Sequence, residues 1–278
     1  MGLGVEALEP RVVYEDASLV AVYKPPRMHS VPGLGAGDLC SWAFERYPEA
    51  GKAGEGADGA GRSASEGRLL HRLDYETSGI VLFARTPGAF ASLIDQQKSG
   101  GFYKEYLALS SASRDEYPEG SVPRKAVPSG VDGSLWAEAR DRRDEDALAA
   151  LLGGPRGGAR CFVRCAFRSF GPKGSRIACL DPGAGKGRER TIYQSDILGF
   201  SLSSDFSRSG GPSALEIRAG ISRGFRHQVR AHLAWIGLPI AGDTLYGGRS
   251  DRRLRLYAVA LSFAHPVTGE AIRLKADP

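Results

Sequence analysis

Apolar and polar residues fall in short blocks along this chain, and the blocks predict short elements. Residues 11–24 read as two strands around an Asp-Ala-Ser turn, because Val and Tyr are enriched there and Pro25-Pro26 ends the run. Asp38 is placed to cap a short helix that reaches Tyr47 and stops at Pro48. Residues 51–67 hold Gly, Ala, Ser and charges with almost nothing to bury, which predicts a mobile surface loop. Five apolar residues run from Ile80 to Ala84, the length of a buried strand. Thr86-Pro87 then supplies a cap and a first-turn proline for a helix to about Lys98, with Phe90, Leu93 and Ile94 on one face.

Further along, Lys104 to Leu109 reads as a strand and residues 110–134 mostly as loop. A short helix is predicted from Asp144 to Leu152. Arg160 to Phe170 and Arg176 to Leu180 form a hairpin around the Gly-Pro-Lys-Gly turn at 171–174, and residues 181–190 are another Gly-rich, charged loop. Leu215 to Ala219 is a strand. Gln228 to Ile236 is helical, with Val229, Leu233 and Ile236 on one face and Gly237 closing it. Leu256 to Phe263 and Ala271 to Leu274 are strands joined through the turn at His265 to Gly269. Strands outnumber helices and do not alternate strictly with them. That pattern predicts an α+β fold around a mostly antiparallel sheet rather than a doubly wound one.

Composition narrows the class. With 42% hydrophobic and 25% charged residues over 278 positions, the chain reads as an ordinary globular protein and excludes a disordered or collagen-like one. No run of 18 apolar residues suggests a membrane helix, and the first residues lack a signal-peptide pattern, so a cytoplasmic protein is expected. The 37 basic residues, 29 of them Arg, outweigh the 32 acidic ones. Arg suits phosphate, so the bias is compatible with a nucleic-acid partner and equally with GC-rich coding. Cys40, Cys161, Cys165 and Cys179 form no CxxC pair. Reduced thiols are expected, with Cys161 and Cys165 filling a core on a strand, and no metal site.

Several motifs fall short. Gly33-Leu-Gly35-Ala-Gly37 lacks the last glycine of a dinucleotide fingerprint, since Asp38 follows. Gly185-Lys186 lacks the Ser or Thr of a phosphate loop. His227 and His232 stand five apart, about 140° around a helix, and so share no ligand face. No GxSxG elbow occurs.

Two polar clusters beside well-structured segments are left. HRLDYETSG, His71 to Gly79, leads into the strand at 80–84, and RGFRHQVRAHL, Arg223 to Leu233, enters the later helix. Between them lies KEYLAL, Lys104 to Leu109. HRLDYETSGIVLFART, KEYLAL and RHQVRAHLAWIGLPIAGDTLYGG resemble the three core motifs of the RluA-type RNA pseudouridine synthases. VVYEDASLVAVYKPPRMHSVPG resembles that family's opening strands, and LSFAHPVTGEAIRLKADP its closing hairpin. The resemblance covers roughly residues 10–47, 68–109 and 215–278; residues 48–67 and 110–214 match poorly and read as insertions.

The resemblance implies a single catalytic domain: a curved, mostly antiparallel central sheet flanked by helices and loops, with the site in a basic cleft; many members of the family also carry an N-terminal RNA-binding domain, which is not expected in this chain. It implies isomerisation of uridine to pseudouridine in rRNA or tRNA without cofactor; a monomer is expected by default, because no long apolar surface stripe is evident. It makes Asp74 the catalytic carboxylate, a residue type able to attack or to take a proton at the sugar–base junction. Taken alone, Asp74 reads as a turn Asp capping its own backbone.

Arg230 would pair with Asp74, because an adjacent guanidinium favours the ionised carboxylate. Tyr106 would stack on the uracil and serve as a base. Arg72 would fill the gap left by the flipped base. Leu256 would pack beneath the base, although Tyr257 follows it where the family often has His. Lys104, His227 and Gln228, inside the quoted motifs, complete the expected substrate-binding set. His71 and Leu73 are expected as scaffold, with Thr77 and Ser78 bonding the turn. Without the motif, Arg72 and Arg230 read as surface arginines and Tyr106 as a core tyrosine.

One departure stands out. The family's Gly-Arg-Thr-His-Gln run is Gly224-Phe225-Arg226-His227-Gln228 in this chain. The Arg is displaced by one position and Phe225 takes its place. Arginines at 140–143, 156–168 and 249–255 are candidates for phosphate contact. Two other readings stay open: an RNA-binding protein of the same fold without turnover, and a hydrolase that releases free base.

Overall fold

The computed structural model describes residues 9–33, 37–52, 64–110, 126–153, 161–182, 190–203 and 214–278. The chain divides into two compact units, one of Met1–Lys104 with Tyr257–Pro278, the other of Glu105–Leu256. The divisions fall inside two strands, β4 (Tyr103–Ser110) and β9 (Leu256–Ala264). Most of the expected loop at 51–67, and parts of those at 110–134 and 181–190, lie outside the described residues.

In the first unit, β1 (Arg11–Glu15) and β2 (Leu19–Lys24) form the predicted hairpin. Asp16 makes its turn: Oδ1 accepts the N–H groups of Ser18 (2.7 Å) and Leu19 (2.8 Å). β2 pairs antiparallel with β3 (Ser78–Ala84), β3 pairs parallel with β9, and β9 pairs antiparallel with β10 (Ala271–Lys275). Every residue of β3 is buried, so both faces of the strand are covered and its sequence is a continuous apolar run. α2 (Pro87–Ser99) packs Ala89, Phe90 and Leu93 into a core with Leu19, Ile80, Leu82, Phe102, Leu261 and Phe263. Its N-cap is Thr86, whose Oγ1 accepts the Ala89 N–H at 3.2 Å. α1 (Leu39–Arg46) is capped by Asp38, which accepts the Ser41 N–H at 2.9 Å, and sets Phe44 edge-on to Phe83 of β3.

In the second unit the strand order is β4, β8 (Ala214–Ile221), β7 (Ile192–Ser203), β5 (Cys161–Phe170), β6 (Arg176–Leu180). The β5–β6, β5–β7 and β7–β8 pairs are antiparallel, and β5–β6 is the predicted hairpin. α3 (Gly133–Arg142), α4 (Glu145–Gly153) and α5 (Gln228–Trp235) complete the unit. Gly237, at φ 92°, closes α5 as expected.

Two elements escaped sequence reading. α3 is polar on most of its surface, with only Trp136 and Ala139 buried, so its apolar stripe is too narrow to register. β7 has Leu198 and Leu202 exposed, and a register shift between Ile197 and Gly199 breaks its two-residue alternation.

Candidate active site

The loop that carries Asp74 is pinned at both ends. Before it, the Leu70 N–H donates to Leu82 O (2.9 Å), and Ser30 Oγ both donates to Leu73 O (2.9 Å) and accepts from Leu73 N (3.1 Å). After it, the Thr77 N–H donates to Asp74 O at 3.1 Å, closing a turn of which Asp74 is the first residue. Asp74 itself is half-buried. Gly79 follows at φ 130°, and a Cβ at that position would lie 2.3 Å from Ala258 O. Only glycine lets the loop run into β3 while β3 lies directly against β9.

Beneath this turn sits Lys24, fully buried. Its Nζ donates to Pro25 O (2.9 Å), Met28 O (2.9 Å) and Tyr75 O (3.3 Å). Tyr75 O also accepts the Arg27 N–H at 2.8 Å. Two donors on the carbonyl next to Asp74 hold that stretch of backbone still. Burial pushes the Lys24 ammonium down to about 7, while the charges of Asp74 and Glu76 pull it back up. Tyr75 is exposed against the His29 ring, and Glu76 pairs with Arg27 at 3.6 Å.

Arg72 projects outward, its side chain 61% exposed, with Nη1 3.4 Å from Glu66 Oε1. Lys104 belongs to the same unit but is buried, with Nζ 5.4 Å above the Phe102 ring, and burial lowers it to about 8. The expected side-chain bonds in the turn need correction at Thr77. Its Oγ1 is buried without a hydrogen-bond partner, and its backbone N–H closes the turn on Asp74 O.

Tyr106 and Arg230 belong to the second unit, where Tyr106 is buried on β4. The Arg230 guanidinium lies against Asp243 as a two-point pair: Nε donates to Oδ2 and Nη2 to Oδ1, both at 2.8 Å. Both side chains are buried, Asp243 completely. Asp243 Oδ1 also accepts the N–H groups of Leu245 (3.1 Å) and Tyr246 (3.3 Å), so its own position is fixed by the following turn. Gly242, at φ 79°, admits that turn: a Cβ there would lie 2.0 Å from Arg253 O. The Tyr246 ring lies 5.4 Å from the Arg230 guanidinium, and its hydroxyl is 3.0 Å from His227 Nδ1 while accepting the Ile177 N–H at 2.9 Å. Arg230 and His227 thus meet through Tyr246. Leu256, at the start of β9, is buried.

Gln228 does not fit substrate contact. It is 2% exposed. Its Oε1 accepts the Phe225 N–H (2.9 Å) and its Nε2 donates to Gln194 O (2.8 Å), so the amide braces the start of α5 against β7. The displaced arginine has a definite place: Arg226 donates from Nη2 to Gly174 O in the β5–β6 turn. Phe225 stacks on Phe167 at 5.0 Å and 13°, with Tyr193 beside both and Arg223 over the Tyr193 ring. Among the arginines singled out for phosphate, Arg142 is exposed but pairs with Glu138 (2.9 Å), Arg255 pairs with Asp251 (3.0 Å), and Arg164 and Arg168 are exposed on β5.

Sequence reasoning missed Lys24 and Asp243. Both stood in quoted motifs, YKPP and GDTLYGG, as a charge beside an apolar run, and that was the available signal. It also missed a meeting of sulfur and nitrogen. Cys165 fills the core of β5 as expected, yet it does so beside Cys179 of β6 and His232 of α5. Burial pushes His232 down to about 3 and raises the Cys179 thiol.

Residues 18–235 match the family model described as RNA pseudouridylate synthase, and the chain belongs to that family. It is 26% identical over 283 residues to "Ribosomal large subunit pseudouridine synthase D" of Xanthomonas campestris, covering 95% of this chain and 65% of that protein. It is 27% identical over 285 residues to synthase C of Escherichia coli K12 (98% and 67%) and 26% identical over 315 residues to the chloroplastic "RNA pseudouridine synthase 2" of Arabidopsis thaliana (96% and 62%). The chain therefore spans about two thirds or less of the length of these relatives. In fold it is similar to human RNA Pseudouridylate Synthase Domain Containing 1, with a TM-score of 0.58 at 17% identity, covering 97% of this chain and 84% of that one. The α+β, mostly antiparallel architecture is thus the pseudouridylate synthase fold.

Proposed function

We propose that this chain isomerises uridine to pseudouridine in structured RNA, with Asp74 as the catalytic carboxylate. The observation that carries this is the setting of Asp74. It is a half-buried carboxylate at the head of a backbone-closed turn, held by Lys24 below and by a glycine contact behind. A turn Asp that merely capped its own backbone would not need a buried lysine fixing the next carbonyl.

In the proposed reaction the bond between ribose C1′ and uracil N1 breaks, with its electron pair going to the base. Asp74 acts at the sugar–base junction while this happens. The uracil turns, C5 forms the new bond to C1′, the C5 proton leaves to a base, for which Tyr106 is the candidate, and N1 takes up a proton. Arg230 is the guanidinium assigned to the catalytic carboxylate in this reading. Arg72, exposed and only loosely held by Glu66, is the side chain best placed to enter the RNA stack. Leu256, Lys104 and His227 are assigned to substrate binding in this reading. The substrate is rRNA or tRNA, met by a monomer in the cytoplasm.

The test uses RNA tritiated at uracil C5, taken from a strain lacking the gene. Wild type should release tritium, and Asp74→Asn should release it at least about a thousandfold more slowly while still binding RNA. Release of free uracil would instead identify a hydrolase. RNA binding by wild type with no release would identify a silent binding protein.

A further inference from the structure

The second unit holds a cluster that isomerisation does not use. Cys165, Cys179 and His232 come from β5, β6 and α5, and all three are buried. One donor atom from each lies within 4.8 Å of the other two. Cys165 Sγ is 3.1 Å from His232 Nε2. The other ring nitrogen, Nδ1, is 2.9 Å from Ser195 Oγ, and Ser195 is also buried and in reach of Gln228 Nε2 at 3.3 Å. A histidine held at one nitrogen by a buried hydroxyl, with its other nitrogen turned to sulfur, is oriented as metal-binding imidazoles are.

We propose that Cys165, Cys179 and His232 bind one zinc ion. Zinc takes two thiolates and an imidazole readily, with bonds of about 2.3 Å to sulfur and about 2.0–2.1 Å to nitrogen. Around a tetrahedral ion those lengths set the ligand atoms roughly 3.5–3.8 Å apart. The 3.1 Å sulfur–nitrogen contact therefore opens by about half an ångström on binding, a rotamer-scale adjustment. Charge selects the ion. Binding releases one proton from each thiol, and two thiolates with a divalent cation leave the interior neutral. A monovalent ion would leave a buried negative charge. Three protein donors leave the fourth position to water or another small ligand.

Such a site would join the β5–β6 hairpin to α5, the helix that carries Arg230. The competing arrangement is a simple hydrogen-bonded core, with the Cys165 thiol donating to His232.

Cobalt(II), added anaerobically to the reduced wild-type protein, separates the two. A single equivalent should bind and give the near-ultraviolet charge-transfer band of a cobalt–thiolate bond, and one equivalent of zinc should abolish it. Cys179→Ser should lose the band and Cys161→Ala, a buried cysteine outside the cluster, should keep it. If Cys179→Ser does not fold, zinc should still protect Cys165 and Cys179, but not Cys40, from alkylation as wild type is unfolded. No band in folded wild type, a band that survives Cys179→Ser, or zinc protection that spares Cys165 and Cys179 would each overturn the proposal.

Discussion

Arg230 and Asp243 show how much one buried ion pair governs its surroundings. Both charges are out of water and meet at two points, and two backbone N–H groups also point at Asp243. Removing one partner strands the other, so Asp243→Ala should cost about 3–5 kcal/mol, read as a shift in the urea midpoint at unchanged slope. Replacing both residues with apolar ones of similar size should cost far less stability. Activity would distinguish the same variants, since the double replacement also removes Arg230. Asp74 was singled out in the sequence because its motif is long and specific. Asp243 was not, because its meaning depends on a partner thirteen positions away on a helix whose surface the sequence does not order. Lys24 escaped for a similar reason: a lysine before two prolines looks like an exposed strand end, and only the fold folds three carbonyls around it.

At the scale of elements, caps and punctuation were the reliable signals. Asp38, Thr86 and Gly237 mark helix ends where residue chemistry placed them. β7 and α3 failed because their patterns depend on neighbours: a shifted register in one, a narrow contact stripe in the other. Gly79 belongs to this scale, since it sets the distance between two strands. Gly79→Ala places a methyl group 2.3 Å from Ala258 O in a backbone region that disfavours alanine. The expected loss is about 2–5 kcal/mol, and denaturant melts would detect it. Gly88→Ala, at a site with open space on α2, is the control and should be neutral or slightly stabilising.

For the whole molecule, pH and salt report separate properties. Lys24 and Lys104 have folded values of about 7 and about 8, below their ordinary value near 10.5. Between those values the unfolded chain holds protons that the folded chain does not, so stability rises with pH from about 7. Cys40 and Cys161 act in the other direction. Burial raises them to about 12 and about 11, so above their ordinary value of 9.0 the unfolded chain loses protons that the folded one keeps, and stability falls. A maximum between about pH 9 and 10, where the lysine and cysteine contributions cancel, is expected in urea midpoints measured across pH 6.5–10.5, and Lys24→Met should flatten the rising limb. RNA affinity should fall steeply with salt if several arginines meet phosphate. A flat response would remove the electrostatic part of the proposed RNA contact.

The first unit is written in two pieces, with residues 105–256 between them. Translation runs in one direction, so β3 emerges early and waits for β9, its parallel neighbour, until the whole of the second unit has left the ribosome. During that interval the backbone of Ser78 and Gly79 has no native strand on that side, while residues 68–70, already made, cover the same edge at Leu82 to Ala84. An exposed strand edge of this kind is a site for wrong pairing. A nascent chain stalled before Tyr257 should therefore recruit chaperones through the open start of β3 at residues 78–81, and should release them once the last two strands are made.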